Sequence, residues 1–317
     1  YTDSSCPALL LEPQRTNLVT QSEYLLGYFA TDGTTLSHNY GTSPEGVQNS
    51  VLITQIAGVA SNSIYNFNLP TTDGSYTYSF FFKAGTSTLC RFYCGTGATE
   101  NFNPQNVTAG YTGGSLNLLF EDYGSGWWRV SATQTLSGAS TNRFAFNPDF
   151  GNNGGNVEIY GFQLEEASYA TSYIPTYGSA VTRNRDNTSL TGVSDLLGQT
   201  EGTIYSEVRF PQGGSLSNWL SISAGNPQNW VFIGKDNDDI RGYVRASNSV
   251  IFSNQTFQIV DNALAKVAIA YKSGDIVLYI NGTQISSSST AFTFDATLNS
   301  IYFGSHDNGG TYETRKQ

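Results

Sequence analysis

The residues of this chain best equipped to do chemistry are its carboxylates, its two histidines, its three cysteines and its four tryptophans. The carboxylates fall in short runs: Glu121 with Asp122, Glu165 with Glu166, and Asp236, Asp238 and Asp239 around Asn237. Hydrolysis of a glycosidic bond needs two carboxyl groups flanking it, one acid and one base or nucleophile. These runs sit in turns or at strand ends and do not alternate along one sheet face, so they are not spaced for that work. Oxygen donors in loops suit a hard cation better. Asp236, Asp238 and Asp239 form the densest candidate calcium group, although KDNDDI matches no full EF-hand loop and a solvated acidic turn competes with it. His38 and His306 lie far apart among Gly, Ser and Asn, without Gly-x-Ser-x-Gly or His-Glu-x-x-His, so imidazole catalysis is not expected. Cys6, Cys90 and Cys94 make no disulfide framework, and Cys90-x3-Cys94 in a strand-like stretch is poor for zinc. Buried, idle thiols are the plain reading, and a Cys90–Cys94 bridge would need a tight bend.

The tryptophans carry the binding hypothesis, because aromatic faces stack on the C–H surfaces of sugars. Adjacent Trp127 and Trp128 must point to opposite faces if they lie on a strand, which makes one of them a candidate for exposure. Trp127, beside Tyr123 and Arg129, is read as a stacking platform, with burial under a loop as the competing reading. Trp219 and Trp230 flank Ser223 to Asn229 (SAGNPQN), a loop of the sort that lines a sugar site, though either could instead plug a core.

The elements that must position these residues are strands. Charged residues make up 13% of the chain, about half the usual share, while Tyr (20), Phe (19) and Gly (33) are plentiful. Ser75 to Lys83 (SYTYSFFFK) alternates, with Tyr76, Tyr78, Phe80 and Phe82 on one face and Thr77, Ser79, Phe81 and Lys83 on the other. Trp128, Val130 and Ala132 alternate in the same way with Trp127, Arg129, Ser131 and Thr133, and Phe144 with Phe146 and Val157 to Leu164 add further strands. Around Ser172 to Arg185 the period lapses, which predicts a linker. Strands resume at Gly202 to Phe210, Trp219 to Ala224, Trp230 to Gly234, Arg241 to Arg245, Lys266 to Tyr271 and Ile276 to Ile280. The last two form a hairpin across Ser273-Gly274-Asp275, and Asn281-Gly282 marks the next turn. A chain of 317 residues exceeds one core, so the expected fold is all-β, two consecutive antiparallel β-sandwiches, residues 1–183 and 184–317.

A net charge of −10 argues against nucleic acid or an anionic membrane surface as partner. No apolar run is long enough to insert in a bilayer. The chain has no Met and opens at Tyr1 without a basic-then-apolar leader, so an upstream segment is expected.

Four stretches carry a resemblance. LLLEPQRTNLV (Leu9 to Val19), YSFFFKAG (Tyr78 to Gly85), GSGWWRV (Gly124 to Val130) and GFQLEEASYATSYIPTYGSAVTR (Gly161 to Arg183) resemble a carbohydrate-binding-module-like jelly roll found in bacteriophage tail-fibre and other virion proteins. KVAIAYKSGDIVLYINGTQ (Lys266 to Gln284) and SIYFGSHDNGG (Ser300 to Gly310) look like a concanavalin A-like, laminin-G-type domain. The resemblance implies a virion-surface, extracellular adhesin of the tail-fibre type, not an enzyme, that recognises host surface glycans. It also implies other virion proteins as partners and a homo-oligomer, a trimer first. A ligand-free structural or decoration role, or the binding region of a larger secreted glycan-degrading enzyme, are the alternatives. By analogy with modules whose terminal segments share a cation, Glu12 and Glu165 are a second candidate pair for structural calcium. The Glu-x-Asp-x-x-Glu or Glu-x-Asp-x-Glu run of glycosidases on the second fold is missing from the sequence. Laminin-G-type domains usually close with a further apolar strand after the position of Thr311 to Gln317, where this sequence ends, so truncation or a strand donated by a neighbouring chain is expected.

Overall fold

The computed structural model describes residues 10–25, 30–59, 63–66, 69, 72–107, 114–137, 142–186, 188–209, 217–236, 239–258 and 263–303. They form two compact units, Arg15–Arg183 and, drawn from both flanks of it, Tyr1–Gln14 with Asn184–Gln317. Both are all-β, and every strand pair among the described residues is antiparallel.

The Arg15–Arg183 unit contains β1 (Arg15–Asn17), β2 (Ala30–Asp32), β3 (Thr34–His38), β4 (Val51–Gln55), β5 (Ser63–Asn66), β6 (Gly74–Ala84) and β7 (Cys90–Gly95). It continues with β8 (Ala98–Phe102), β9 (Leu118–Gly124), β10 (Trp127–Leu136), β11 (Arg143–Asn147), β12 (Asn156–Glu166) and β13 (Val181–Arg183). One sheet runs β3-β4-β12-β6-β10-β9, the facing one β2-β5-β11-β7-β8, and β1 pairs with β13. The alternation of β6 holds: Tyr76, Tyr78, Phe80 and Phe82 enter the core between the sheets, where Phe80 lies 5.0 Å from the Phe162 and Phe146 rings and 5.3 Å from Phe92. Each such ring taken out of water stabilises the sandwich by about 1.5–3 kcal/mol. The opposite face of β6 is also covered, since Thr77, Ser79 and Phe81 are buried too. Its cover is the stretch expected to be a linker: Thr171, Ile174 and Thr176 are buried against this sheet, so Ser172 to Arg185 begins as a lid and ends as β13. The sequence signal was misleading because a segment fixed by individual hydrogen bonds needs no period.

Cys90 and Cys94 are free thiols on one face of β7, both buried in this core. Burial pushes the Cys94 thiol up to about 12 and raises Cys90 as well, which leaves both inert. Cys6 lies outside the described residues.

The second unit contains β14 (Thr188–Thr191), a 3-10 turn at Ser194–Leu196, β15 (Glu201–Arg209), β16 (Ser217–Ser223), β17 (Trp230–Asp236) and β18 (Asp239–Ala246). β19 (Ser249–Gln258), β20 (Leu264–Lys272), β21 (Asp275–Ile280), β22 (Thr283–Ser288) and β23 (Ser300–Phe303) follow. Sheets β14-β23-β16-β17-β18-β19 and β15-β20-β21-β22 enclose an aliphatic core that includes Val231, Ile233, Val244, Val267, Ile269 and Leu278. The β20–β21 hairpin closes with Lys272 opposite Asp275, and Asn281 and Gly282, at φ 50° and 81°, make the two-residue turn into β22 that positive φ at both centres requires. β15 pairs only with β20 among the described residues. The expectations for His306, Thr311 to Gln317 and a closing strand lie outside the described residues.

Candidate functional site

The outer face of the six-stranded sheet in the first sandwich is shaped by one bulge. β12 sends Val157 and Ile159 into the core, then shifts register against β6 between Tyr160 and Gln163, so that Phe162 and Leu164 point inward next. Gly161 makes the shift at φ 65°, where a Cβ would sit 3.1 Å from the Phe81 and Tyr173 rings. Glu158 and Tyr160 before the bulge, and Gln163 and Glu165 after it, therefore share the outer face.

These outward side chains fasten two covering segments. The Asn17 amide donates to the Phe162 and Ile174 carbonyls at 3.1 and 2.8 Å, and its Oδ1 accepts the N–H groups of Val19 and Leu164 at 3.0 and 3.1 Å. Gln163 Oε1 accepts Ile174 N–H at 2.7 Å, while its amide donates to Glu165 at 2.8 Å. Glu165, fully buried, also accepts Thr171 N–H at 2.9 Å and the Thr171 hydroxyl. Arg129 donates to the Thr171 carbonyl at 2.6 Å and to Ser79 Oγ at 2.9 Å. All four polar side chains are buried with hydrogen-bond partners, Arg129 through its two terminal nitrogens while its Nε has none among the described residues. Nearer the other end, Glu158 accepts the Ser50 hydroxyl at 2.5 Å, and Ser50 Oγ accepts Gly41 N–H at 2.8 Å, which fixes the 39–50 turn.

The two fastened segments meet at Glu23. One of its oxygens accepts the hydroxyls of Tyr160, Tyr173 and Tyr177 at 3.0, 3.3 and 2.9 Å, and the other accepts the Asn49 amide at 3.1 Å. Tyr173 also shares a 2.6 Å hydrogen bond with Ser22. Burial first, and the Glu23 carboxylate with it, raises the pKa of Tyr160, Tyr173 and Tyr177, the last to about 12. Glu45, exposed on the 39–50 turn, adds negative potential at Tyr160 and Tyr177. Several large side chains of the segments that carry this centre stand in solvent: Tyr177 is 71% exposed, Tyr24 and Tyr40 54% and Val47 55%. Tyr24 stacks on His38 with ring centroids 4.7 Å apart. Burial lowers the His38 pKa, so this ring is neutral at physiological pH.

The tryptophan expected to form the platform is the floor of this patch instead. Trp127 is 2% exposed, packs with Phe81 and Tyr160, and donates its indole N–H to the Thr42 carbonyl at 3.0 Å. Its face is covered because the 39–50 turn folds over β10, a long-range contact that the pair Trp127-Trp128 does not encode. Tyr123 packs edge-on against Phe81 at 4.8 Å, and Arg129 is buried under the lid, so neither offers a free binding group. Trp128 packs against the main core. In the second sandwich Trp230 is 7% exposed against Phe232 and Tyr243, and Trp219 is partly buried with its N–H on Ser206 Oγ at 2.7 Å. Both tryptophans are packing residues, as strand alternation with a filled face would make them.

The carboxylates proposed for calcium have other partners or lie in different units. Asp236 is ion-paired with Arg241 at 3.5 Å and stands opposite Asp239 at the β17–β18 turn, while Asp238 lies outside the described residues. Glu12 belongs to the second unit, where its backbone N–H and carbonyl hold Asp186 at 2.9 Å each. Glu165 belongs to the first, with its carboxylate spent on Thr171 and Gln163. Among the described residues no group of three or more His, Cys, Asp or Glu is placed to hold a metal ion. The residues that the sequence did not single out are Glu23, Tyr24, Tyr40, Glu45, Tyr160, Tyr173 and Tyr177. The one available signal was tyrosine density in SYATSYIPTY (Ser168 to Tyr177), which carries no period.

No protein-family model matches the chain, and no curated protein matches it. Among solved structures it is similar to domains LG4-5 of the mouse laminin alpha1 chain, at 10% identity and a TM-score of 0.26, over 95% of this chain and 87% of that one. It is similar also to the LG1-3 region of the laminin alpha2 chain, at 10% identity and a TM-score of 0.22, over 89% of this chain and 60% of that one. Superpositions this loose carry no argument about ligand or mechanism.

Proposed function

We propose that this chain is a non-catalytic adhesin whose first sandwich binds a glycan through the tyrosine patch around Glu23. The observation that carries the reading is exposed Tyr177 on a carboxylate that organises three phenols, with exposed Tyr24 next to Glu23 in the chain and exposed Tyr40 on the 39–50 turn that Asn49 ties to Glu23. Aromatic faces contribute stacking area at small entropic cost, and the hydrogen-bonded floor holds them in place before a ligand arrives. The resemblance of Gly161 to Arg183 to tail-fibre modules supports a finer reading, an extracellular virion appendage that meets host surface glycans. In that setting the chain assembles with other virion proteins as a homo-oligomer, a trimer first, and weak single-site contacts gain from multivalency.

The test is a glycan array probed with the whole chain and with Tyr24→Ala, Tyr177→Ala and, in the second sandwich, Tyr279→Ala. Binding that falls with the first two variants and persists in the third supports the proposal. Binding unaffected by Tyr24 and Tyr177 moves the site elsewhere, and no binding to any glycan favours a structural role.

A further inference from the structure

The proton inventory of the patch limits which sugar it can take. Tyr177 directs its hydroxyl at Glu23, Tyr160 at Glu23 and Glu45, and Tyr173 at Glu23 and Ser22. Toward solvent these phenols therefore offer lone pairs and ring faces, not protons. The Asn49 amide is likewise turned inward to Glu23. Glu23 Oε2 accepts only that amide among the described residues, so it keeps a free lone pair, and exposed Glu45, hydrogen-bonded to Tyr160, adds a second carboxylate. Neither carboxylate is ion-paired among the described residues. The donors around Glu23 thus point inward, and with Glu45 the patch carries two carboxylates beside exposed aromatic faces that attract cations. An uncharged acetamide would bring no positive charge to these carboxylates. A sugar carboxylate would meet like charge.

We propose that the patch selects a sugar ring bearing a protonated amine, an amino sugar in its ammonium form, and rejects acidic sugars. The inference rests on the reading of this patch as the glycan site. The ammonium would lie over the Tyr177 or Tyr24 ring face within reach of Glu23 Oε2 and Glu45, with the apolar face of the sugar on the remaining tyrosines. Such a group supplies three donors and a positive charge to two carboxylates that have no ion pair among the described residues.

The test is a calorimetric titration of the whole chain with three oligosaccharides of equal length: β-1,4-linked glucosamine, its N-acetylated form, and a β-1,4-linked uronic acid. It is run at a pH where the amine is protonated. The glucosamine oligomer is expected to bind about tenfold or more tighter than the acetylated one, to weaken as salt is raised, and to lose its advantage in Glu45→Gln. The uronic acid is expected not to bind. Glu23→Gln should act in the same direction. Because it also loosens the floor, the surface variant Glu45→Gln, checked for an unchanged unfolding transition, decides. Equal binding of the amino and acetylated sugars, or binding of the uronic acid, overturns the charge selection while leaving the patch a sugar site. If no sugar binds at all, the patch reading itself falls and the selection with it.

Discussion

Replacement of Glu165 by alanine separates a structural clasp from a cation ligand. The carboxylate is fully buried and serves three donors: Thr171 N–H, the Thr171 hydroxyl and the Gln163 amide. Hydrogen bonds to a charged acceptor contribute about 1.5–3 kcal/mol each, and a buried donor left without a partner costs about 1–3 kcal/mol. The hydroxyl can turn to another acceptor, and the Gln163 amide has the Thr171 and Ser172 carbonyls at 3.4 Å as poorer substitutes. The Thr171 N–H has no such choice. Recovering the desolvation of the lost carboxylate offsets part of the damage, so the net loss for the first sandwich is about 3–5 kcal/mol. Glu165→Gln keeps the shape but turns an NH2 toward a donor, and should fall between wild type and alanine. Urea unfolding followed by tryptophan fluorescence measures this, since Trp127 and Trp128 report the first sandwich and the transition of the second serves as internal reference. A loss below about 1 kcal/mol for Glu165→Ala would show that the lid is held by something other than this network. The same variant should also weaken glycan binding, because Tyr173 and Tyr177 follow Thr171 on the lid.

Gly161→Ala forces a side chain into φ 65° and into 3.1 Å contact with the Phe81 and Tyr173 rings. The expected destabilisation is about 1–3 kcal/mol in the same urea assay, and an unchanged midpoint would mean the bulge can reposition freely. In alkali the first sandwich should unfold cooperatively. Tyr160, Tyr173 and Tyr177 hold their protons more tightly folded than unfolded, so their contribution is full below the ordinary tyrosine pKa of about 10 and fades as pH rises toward the folded values, about 12 for Tyr177. Tyrosinate absorbance should therefore appear together with loss of β-sheet circular dichroism, and early, gradual ionisation without unfolding would contradict the network. Calcium or a chelator should leave the thermal unfolding of both sandwiches unmoved, since Asp236 is ion-paired with Arg241 and Glu165 is spent on Thr171 and Gln163. A rise of several degrees with calcium would reveal a site built from other oxygens.

The two sandwiches and their strands were legible because alternation is a local property. Tyr76, Tyr78, Phe80 and Phe82 need only their own spacing to announce a buried face, and Asn281-Gly282 needs only its positive φ to announce a turn. The same locality explains the misreadings. Trp127 and Trp128 were correctly assigned to opposite faces, but exposure depends on whether another segment covers the outer one, and the 39–50 turn does. The long motif from Gly161 to Arg183 marked something specific, and it turned out to be a clasp of Gln163, Glu165 and Thr171.

By itself, then, the amino-acid sequence determined that the chain is all-β and which side chains alternate along its strands, since each follows from steric and hydrophobic preferences within a few residues. Only the tertiary structure decided the site. Glu23 meets Tyr160, Tyr173 and Tyr177 across 137, 150 and 154 positions of chain. No local period records such a meeting, because it is produced by sheet register, the Gly161 bulge and the lid that the buried polar network holds in place.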